Sequence, residues 1–315
     1  MICFRSLPRA AFVALLLDVS AQAQRLPTMP ALRDGETIVY QLEISGSRST
    51  KVESQVTTPQ SPPSEDLGTR CLLQVNVVEV SARGIRLKTY LSDRNSPVRS
   101  SEPSSMPTVS PDKLVEVLVA TDGTASEIKG FAELTVAQQF AWNAWLNRFT
   151  SPLAFPKSGV RRGQRWKASE GETSPSPISD LSWERKYEYV KQEACGSLNP
   201  GAVAGKTAKS SKATDMCAVI FVHALLRQRS SPKHTTPEDY KRRGLMTAGT
   251  ATGANETILY ISTVTGLLVR STEDVQQSMD VTVALADSSN QVHYMINAKS
   301  RSQIQLLPDV PQDIR

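Results

Sequence analysis

The fold is decided by residues 275–298, which read VQQSMDVTVALADSSNQVHYMINA. Apolar side chains occupy odd positions as far as Leu285, and after the polar segment 287–290 they resume on even positions from Val292. A two-residue period with one apolar face is typical of half-buried antiparallel strands. A four-residue turn would pair Leu285 with Val292 and place both apolar sets on one face. This stretch therefore predicts a long hairpin, the core of a meander from 255 to 307.

The same alternation recurs along the rest of the chain and predicts further strands. Tight turns are expected at Gly84 and Gly123, because glycine tolerates the positive φ that hairpin turns require. A short segment at 51–57 is expected to pair with the first strand, and the proline-rich 58–68 to form a loop. The predicted strands are 35–45, 71–80, 85–91, 114–120, 125–128, 181–191 and 217–226.

One segment, Val136–Phe149, predicts a helix. Thr135 and Gln138 fit a capping box, in which the threonine hydroxyl accepts from a free backbone amide and the glutamine reaches back to the cap. The i, i+3, i+4 spacing predicts one buried face. Because every other predicted element is a strand, this face is expected to pack on the sheet. Its members are Val136, Phe140, Ala141, Ala144, Trp145 and Phe149.

The fold class follows from the length of the strands. A strand of about 12 residues spans roughly 40 Å, and strand twist coils a sheet of such strands. We therefore predict a mainly β protein with one main α-helix: a strongly curved antiparallel sheet, a half-barrel or open barrel, packed around the helix. It forms a single domain over 24–307, with possible sub-units at 30–150 and 155–307 and a short tail at 308–315.

The N-terminus predicts an export signal over residues 1–23. Arg5 and Arg9 precede a short apolar run, Ala10–Val19, and the small-x-small site Ala21–Ala23 follows it. A membrane anchor is disfavoured, because a spanning helix needs about 20 apolar residues. No later stretch is apolar enough to span. We expect cleavage near Ala23 and a periplasmic or extracellular mature chain.

The charge of the chain is uneven. Removal of residues 1–23 takes away two Arg and one Asp, which lowers the formal net charge from +5 to +4. Residues 157–243 hold 17 basic and 9 acidic side chains. This segment could face an anionic membrane, a polyanion or an acidic partner. Solvated loops are the favoured alternative, because the basic residues do not share one periodic face. Export and an aromatic content of 6% argue against nucleic acid.

Three cysteines remain after cleavage: Cys71, Cys195 and Cys217. Cys195 and Cys217 flank a polar loop, so they are the best candidates for a disulfide in an oxidising compartment. Cys71 would be left over and buried in a strand. Three reduced, buried thiols remain the alternative. No Cys or His spacing indicates a metal site, and we expect no metal.

The sequence assigns no catalytic residue and no cofactor. His223 lies within an apolar strand and His293 on the polar face of another, and neither is close in sequence to a catalytic constellation. No GxSxG elbow, HExxH, P-loop or GxGxxG motif is present. Triad partners can come from distant parts of a chain, so a hydrolase without a recognisable motif stays open.

Two stretches carry a resemblance. Residues 155–166, FPKSGVRRGQRW, resemble a Pro…Val-x-x-Gly-x-x-Trp segment of uncharacterised exported bacterial proteins. Residues 255–302 resemble the C-terminal part of secreted proteins from soil bacteria, notably at 260–262 (YIS), 265–267 (TGL) and 290–294 (NQVHY). The resemblance covers the C-terminal half, and its motifs are structural. It implies a bacterial, exported setting and carries over no catalytic residue.

We therefore predict an exported, non-enzymatic binding protein that holds an apolar small molecule, a lipid or a partner in its curved sheet. A sheet of this kind resembles the architecture of periplasmic lipoprotein carriers, which is an analogy of fold alone. The alternatives are a structural or interaction protein of the envelope surface, and a hydrolase. The sequence assigns no ligand-binding residue and no oligomeric state.

Overall fold

The computed structural model describes residues 26, 30–54, 65–93, 113–171, 176–195, 215–285 and 290–307. This part of the chain is mainly β, with one long helix, as predicted. Single 3₁₀ turns lie at Phe131–Glu133 and Ser151–Ala154. The strands and helices are β1 Thr37–Ser54, β2 Glu65–Ser81, β3 Gly84–Asp93, β4 Leu114–Val119, β5 Ala125–Lys129, α1 Val136–Thr150, β6 Arg165–Gly171, β7 Leu181–Ala194, β8 Met216–Gln228, α2 Glu238–Arg242, β9 Leu245–Ser262, β10 Leu268–Leu285 and β11 Gln291–Leu307.

All eleven strands belong to one antiparallel sheet, in the order β5-β4-β3-β2-β1-β11-β10-β9-β8-β7-β6. Strands β1 to β5 form one meander and β6 to β11 another. The first and last strands, β1 and β11, join the two meanders and pair from Val39–Leu307 to Ser54–Val292. The sheet is open, with β5 and β6 at its edges.

The predicted hairpin between β10 and β11 is present, but its predicted register is wrong by two residues. Val292 pairs with Val283 rather than with Leu285, and the pairing ends at Ala284–Gln291. A shift of two residues keeps every side chain on its predicted face, because strand side chains alternate with a period of two. Leu285 is 53% exposed and lies opposite Leu245 of β9. Pairing it with Val292 would therefore have gained little burial.

The segment at 51–57 is not a separate partner strand, contrary to the prediction. As far as Ser54 it continues β1, because β11 is long enough to pair with β1 over that whole length. The predicted loop at 58–68 is shorter than expected, since β2 begins at Glu65. Residues 55–64 and most of the polar loop between Cys195 and Cys217 lie outside the described residues.

Two hairpins in the N-terminal half are confirmed. β2 and β3 pair down to Ser81–Gly84, and β4 and β5 turn at Gly123, which has a φ of +89°. Gly84 has a φ of +134°, and a Cβ atom there would lie 2.1 Å from the backbone oxygen of Val119. Only glycine allows β4 to approach the turn this closely.

Helix α1 begins with the predicted capping box. The Gln138 backbone amide donates to Thr135 Oγ1 at 3.3 Å, and the Thr135 amide donates to Gln138 Oε1 at 3.1 Å. The predicted buried face is partly wrong, because Val136 and Phe140 are 76% and 48% exposed. The helix is rotated so that Trp142 is buried, and its Nε1–H donates to Thr89 Oγ1 of β3 at 2.9 Å. Two overlapping apolar stripes were available, and burial of the larger ring decides between them.

The face of the sheet that α1 covers is called the inner face, and the opposite one the outer face. The main core lies between α1 and the inner face, where Trp145 and Phe149 stack with ring centroids 5.0 Å apart. Inner-facing residues of both meanders, among them Tyr40 and Ile220, belong to this cluster. A second cluster on the same face includes Trp183. Its other buried members are Ile178, Leu181, Ala224, Leu226, Ala251 and Val281.

The segment after α1 extends this core towards the β6 edge. Phe155 contacts Trp166 of β6 edge-on, and Trp166 stacks on Tyr187 of β7, with centroids 4.9 and 5.2 Å apart. Residues 155–166 therefore contribute packing residues to the sheet.

The structure contains the disulfide between the two cysteines that the sequence identified as the best candidates. Cys195, just beyond the end of β7, and Cys217, at the start of β8, are joined by a disulfide. Their Cα atoms are 4.8 Å apart. Cys71 is buried in β2 and is not part of a disulfide.

We predict that the mature protein, unfolded without reductant, presents one reactive thiol per chain, and three after reduction. Replacing Cys195 and Cys217 by Ala should lower the free energy of unfolding by about 3 kcal/mol, because the bond closes a loop of 22 residues in the unfolded chain. Thiol titration and urea denaturation measure the two effects. Three reactive thiols in the unreduced protein would contradict the pairing.

Candidate functional site

A belt of polar side chains crosses the inner face beneath α1, where the surrounding residues are apolar. Asn255 and Thr257 of β9, Glu273 of β10 and Ser302 of β11 form this polar belt. Thr257 and Ser302 lie directly opposite Glu273 on the two neighbouring strands, so their side chains share its face.

Arg148 of α1 reaches into the polar belt and is only 4% exposed. Its Nη2 donates to Glu273 Oε2 and to Ser302 Oγ. The other carboxylate oxygen of Glu273 accepts from Asn255 Nδ2 at 2.7 Å, and Thr257 Oγ1 donates to Asn255 Oδ1 at 2.8 Å. The helix is therefore held to three adjacent strands through one carboxylate.

The electrostatics of this pair follow from burial. Desolvation lowers the pKa of Arg148, although the charge of Glu273 partly offsets that effect. Burial alone would raise the pKa of Glu273, but Arg148 and the hydrogen bond from Asn255 outweigh it, so the pKa is lowered. Glu273 thus stays ionised at neutral pH, and its charge pairs with Arg148.

Not every buried polar atom around the polar belt has a partner within the described part of the chain. Arg148 Nε and Nη1, Trp145 Nε1 and Ser271 Oγ have no hydrogen-bond partner there and are buried. An unpaired buried donor costs about 1–3 kcal/mol, so the arrangement is less favourable than an apolar interface would be. Its chemistry is that of an anchor: it opposes sliding of α1 along the sheet, because only one helix position brings the guanidinium to Glu273.

Sequence reasoning missed both residues of this pair. Arg148 lies three residues after Trp145 and directly before Phe149, on the face that the structure buries. A charged residue within an apolar stripe is a usable signal, because a buried arginine requires a partner. No local pattern identifies that partner, since Glu273 lies 125 residues further along the chain.

On the outer face, His293 lies between two carboxylates. Its Nε2 is 2.7 Å from Asp280 Oδ1 of β10, and its Nδ1 is 3.5 Å from Glu53 Oε2 of β1. The hydrogen bond with Asp280 is the main cause that raises the pKa of His293. Among the described residues, His293 forms no hydrogen bond with a Ser, Thr or Cys side chain, which a hydrolytic triad would require.

Neither His223 nor His234 lies beside His293 on the outer face. His223 lies on β8, with Nδ1 3.9 Å from Glu256 Oε1, and β9 and β10 separate β8 from β11. His234 lies exposed in the connection before α2. Within the described ranges, no group of three or more His, Cys, Asp or Glu side chains is placed to hold a metal ion.

A depression of about 380 Å³ lies on β9, β10 and β11. Strand alternation assigns it to the outer face, because six of its lining residues point away from α1 and Gly253, Gln277 and Ala298 form its floor. It is called the outer depression. The six outward residues are Thr252, Ala254, Gln276, Ser278, Asn297 and Lys299.

No protein-family model matches this chain, and no curated protein matches it. Among solved structures, it is similar to the outer membrane protein OprG from Pseudomonas aeruginosa, with 4% identity, a TM-score of 0.20 and coverage of 89% of this chain and 99% of that one. It is also similar to Ail, the attachment invasion locus protein of Yersinia pestis, with 6% identity, a TM-score of 0.11 and coverage of 86% and 99%. These scores carry no conclusion about fold or activity. Neither helix in the described part of the chain has the length and apolar character to cross a membrane.

We predict that Glu273→Gln lowers the free energy of unfolding by about 3–5 kcal/mol, because it leaves a buried guanidinium without a counter-charge. Arg148→Met combined with Glu273→Gln should be less destabilised than Glu273→Gln alone. Urea denaturation at neutral pH of Glu273→Gln, Arg148→Met and the double variant measures the effects.

Glu184→Gln is the matched control, since Glu184 pairs with Arg227 at 3.0 Å while both side chains are more than half exposed. It should change stability by no more than about 1 kcal/mol. Additive losses in the double variant would contradict the coupling.

The contribution of Glu273 to stability depends on pH, because the pKa of Glu273 is lowered in the folded state. The contribution is present above the unfolded pKa and is lost as pH falls through the folded pKa.

We predict that Asp280→Asn lowers the pKa of His293, and that Glu53→Gln lowers it less, because Asp280 makes the shorter contact. The pKa of His293 is raised in the folded state. The stabilisation of the folded protein by its contacts with Asp280 and Glu53 is therefore complete below the unfolded pKa, and it disappears as pH rises through the folded pKa. An NMR titration of the imidazole signals measures the shift. Equal titration curves for the wild type and Asp280→Asn would refute the assignment.

Proposed function

We propose that this is an exported, non-enzymatic protein of the envelope surface that acts by binding other envelope components through its outer face. The observation that carries the proposal is the difference between the two faces of the sheet. Helix α1 and two apolar clusters occupy the inner face. The outer face of β1, β11, β10 and β9 carries polar and charged side chains, most of which are exposed.

The composition of the outer face supports a contact surface. The outward residues of β1 include Ser45, Ser47 and Ser49, which lie opposite Arg301, Lys299 and Asn297 of β11. The strand pairing fixes the backbone that carries these hydrogen-bonding groups, and the serines among them have little conformational freedom to lose on binding. A polar, preorganised surface of this kind suits a hydrated partner better than an apolar ligand.

The helix weakens the reading in which the sheet holds an apolar ligand. Trp142, Trp145 and Phe149 fill the space between α1 and the inner face that such a ligand would need. We still propose that the sheet curves around α1, because inner-facing residues of both meanders share one core with it. Export to the periplasm or the cell surface rests on the signal at residues 1–23.

A second candidate function rests on the inner face beyond the polar belt. There, half-buried apolar side chains of β10 and β11 extend past Glu273: Val275, Met279, Val283, Tyr294 and Ile296. These residues are called the apolar arm. Four of them pack against the second cluster, and they favour an acyl chain or an apolar partner at this place.

The test uses protein purified from the exported fraction of a bacterium that expresses the full chain. We expect it to co-sediment with isolated bacterial envelope fragments. Ser45→Glu with Ser49→Glu should reduce the bound fraction at least threefold. A loss of about 1 kcal/mol in the free energy of binding weakens the affinity roughly fivefold. Lys129→Glu on edge strand β5 makes the same change in net charge on the outer face but four strands away from β1, and should have no effect.

Equal binding by wild type and the double variant would refute the outer face as the contact surface. Native mass spectrometry of the same preparation tests the second candidate function, the binding of an acyl chain at the apolar arm. A clean polypeptide mass is expected, and a co-purified acyl-chain mass would favour the apolar arm instead.

A further inference from the structure

We propose that the outer depression binds a carboxylate-bearing sugar, with the carboxylate at Lys299. The inference rests on the proposed function, whose partner it names by chemistry. Free sugar acids and carboxylated units within a glycan share this chemistry.

The charges around the outer depression leave Lys299 without a counter-ion. On β10, Asp274 pairs with Arg301 at 3.5 Å and Asp280 with His293 at 2.7 Å. Lys299 lies between these two pairs and faces Gln276 on β10 and Ser47 on β1. Among the described residues it has no carboxylate within ion-pair distance, and no acidic residue lines the depression.

Hydrogen-bonding groups surround this ammonium group. Asn297 Oδ1 already accepts from Ser278 Oγ at 2.9 Å, which leaves the Nδ2 hydrogens to point elsewhere. The side chains of Gln276 and Thr252 are exposed and engage no other group in the described part of the chain. A cation beside neutral amide and hydroxyl groups matches a carboxylate attached to a ring of hydroxyl groups.

The shape of the site also fits a small polar molecule. Ala254 and Ser278 are short and leave a hollow beside Gln276, which lies directly opposite Lys299. A volume of about 380 Å³ lies at the lower end of the range for small-molecule sites. The lining is borne on three paired strands, so the groups are held in place before binding. An open site with one exposed charge favours weak binding.

The experiment is an NMR titration of the 15N-labelled mature protein with sodium D-glucuronate at constant ionic strength. We expect saturable shifts of the side-chain amides of Asn297 and Gln276. Lys299→Gln should weaken the affinity about three- to fivefold, as expected for loss of an exposed ion pair. D-glucose should bind the wild-type protein no more tightly than glucuronate binds Lys299→Gln. Sodium acetate should cause no saturable shift.

Two further variants test the location. Ala254→Phe fills the hollow with a residue that strands favour, and should abolish the shifts while the protein stays folded. Lys51→Gln removes a cation from the same face but outside the depression, and should leave the affinity unchanged. Equal affinity of the wild type and Lys299→Gln, or equal affinity for glucose and glucuronate, would overturn the proposal.

Tri-galacturonate separates the two sources of the carboxylate. Tighter binding of the trimer than of the monosaccharide identifies a glycan chain as the ligand, and equal binding identifies a free sugar acid. The failure of this inference is distinguishable from failure of the proposed function. Envelope binding that Lys299→Gln leaves intact overturns only the site, whereas glucuronate binding without envelope binding overturns only the function.

Discussion

The pairing of β1 with β11 is the constraint on which the rest of the structure depends. Each meander could form from contacts between neighbours in the chain, but this ladder joins residues at opposite ends of it. It places the two meanders in one sheet and gives α1 a continuous inner face that neither half would provide. Its length also explains why β1 continues through residues that the sequence assigned to a separate strand.

The helix is attached to this sheet by one costly polar contact within a large apolar one. Aromatic packing of Trp142, Trp145 and Phe149 provides area but tolerates small displacements, whereas Arg148 and Glu273 specify one position. Buried ion pairs are weak evidence for stability, because desolvation offsets much of their attraction. The polar belt is therefore best understood as selecting the orientation of α1 on β9, β10 and β11.

The two faces of the central strands have separate roles because their side chains alternate. Inner positions are committed to the core and the polar belt, so the outer positions of β9, β10 and β11 are free to vary in charge and size. On these outer positions, acids and bases pair off on both sides of Lys299. The site that we propose on this sheet depends on which outward residue lacks an ion-pair partner among the described residues, and no sequence motif marks such a residue.

The sequence by itself determined the class of the fold, most strand faces, the N-terminal cap of α1 and the best cysteine pair. These are properties of short segments, since a two-residue alternation or a capping box is complete within about ten residues. Tertiary structure decided the strand order, the register of β10 against β11, the rotation of α1 and the partner of Arg148. Each depends on contacts between distant residues: a two-residue slip preserves the alternation, and two overlapping helix stripes were available. The lack of an ion-pair partner for Lys299 among the described residues is of the same kind, because it follows from what lies across two neighbouring strands.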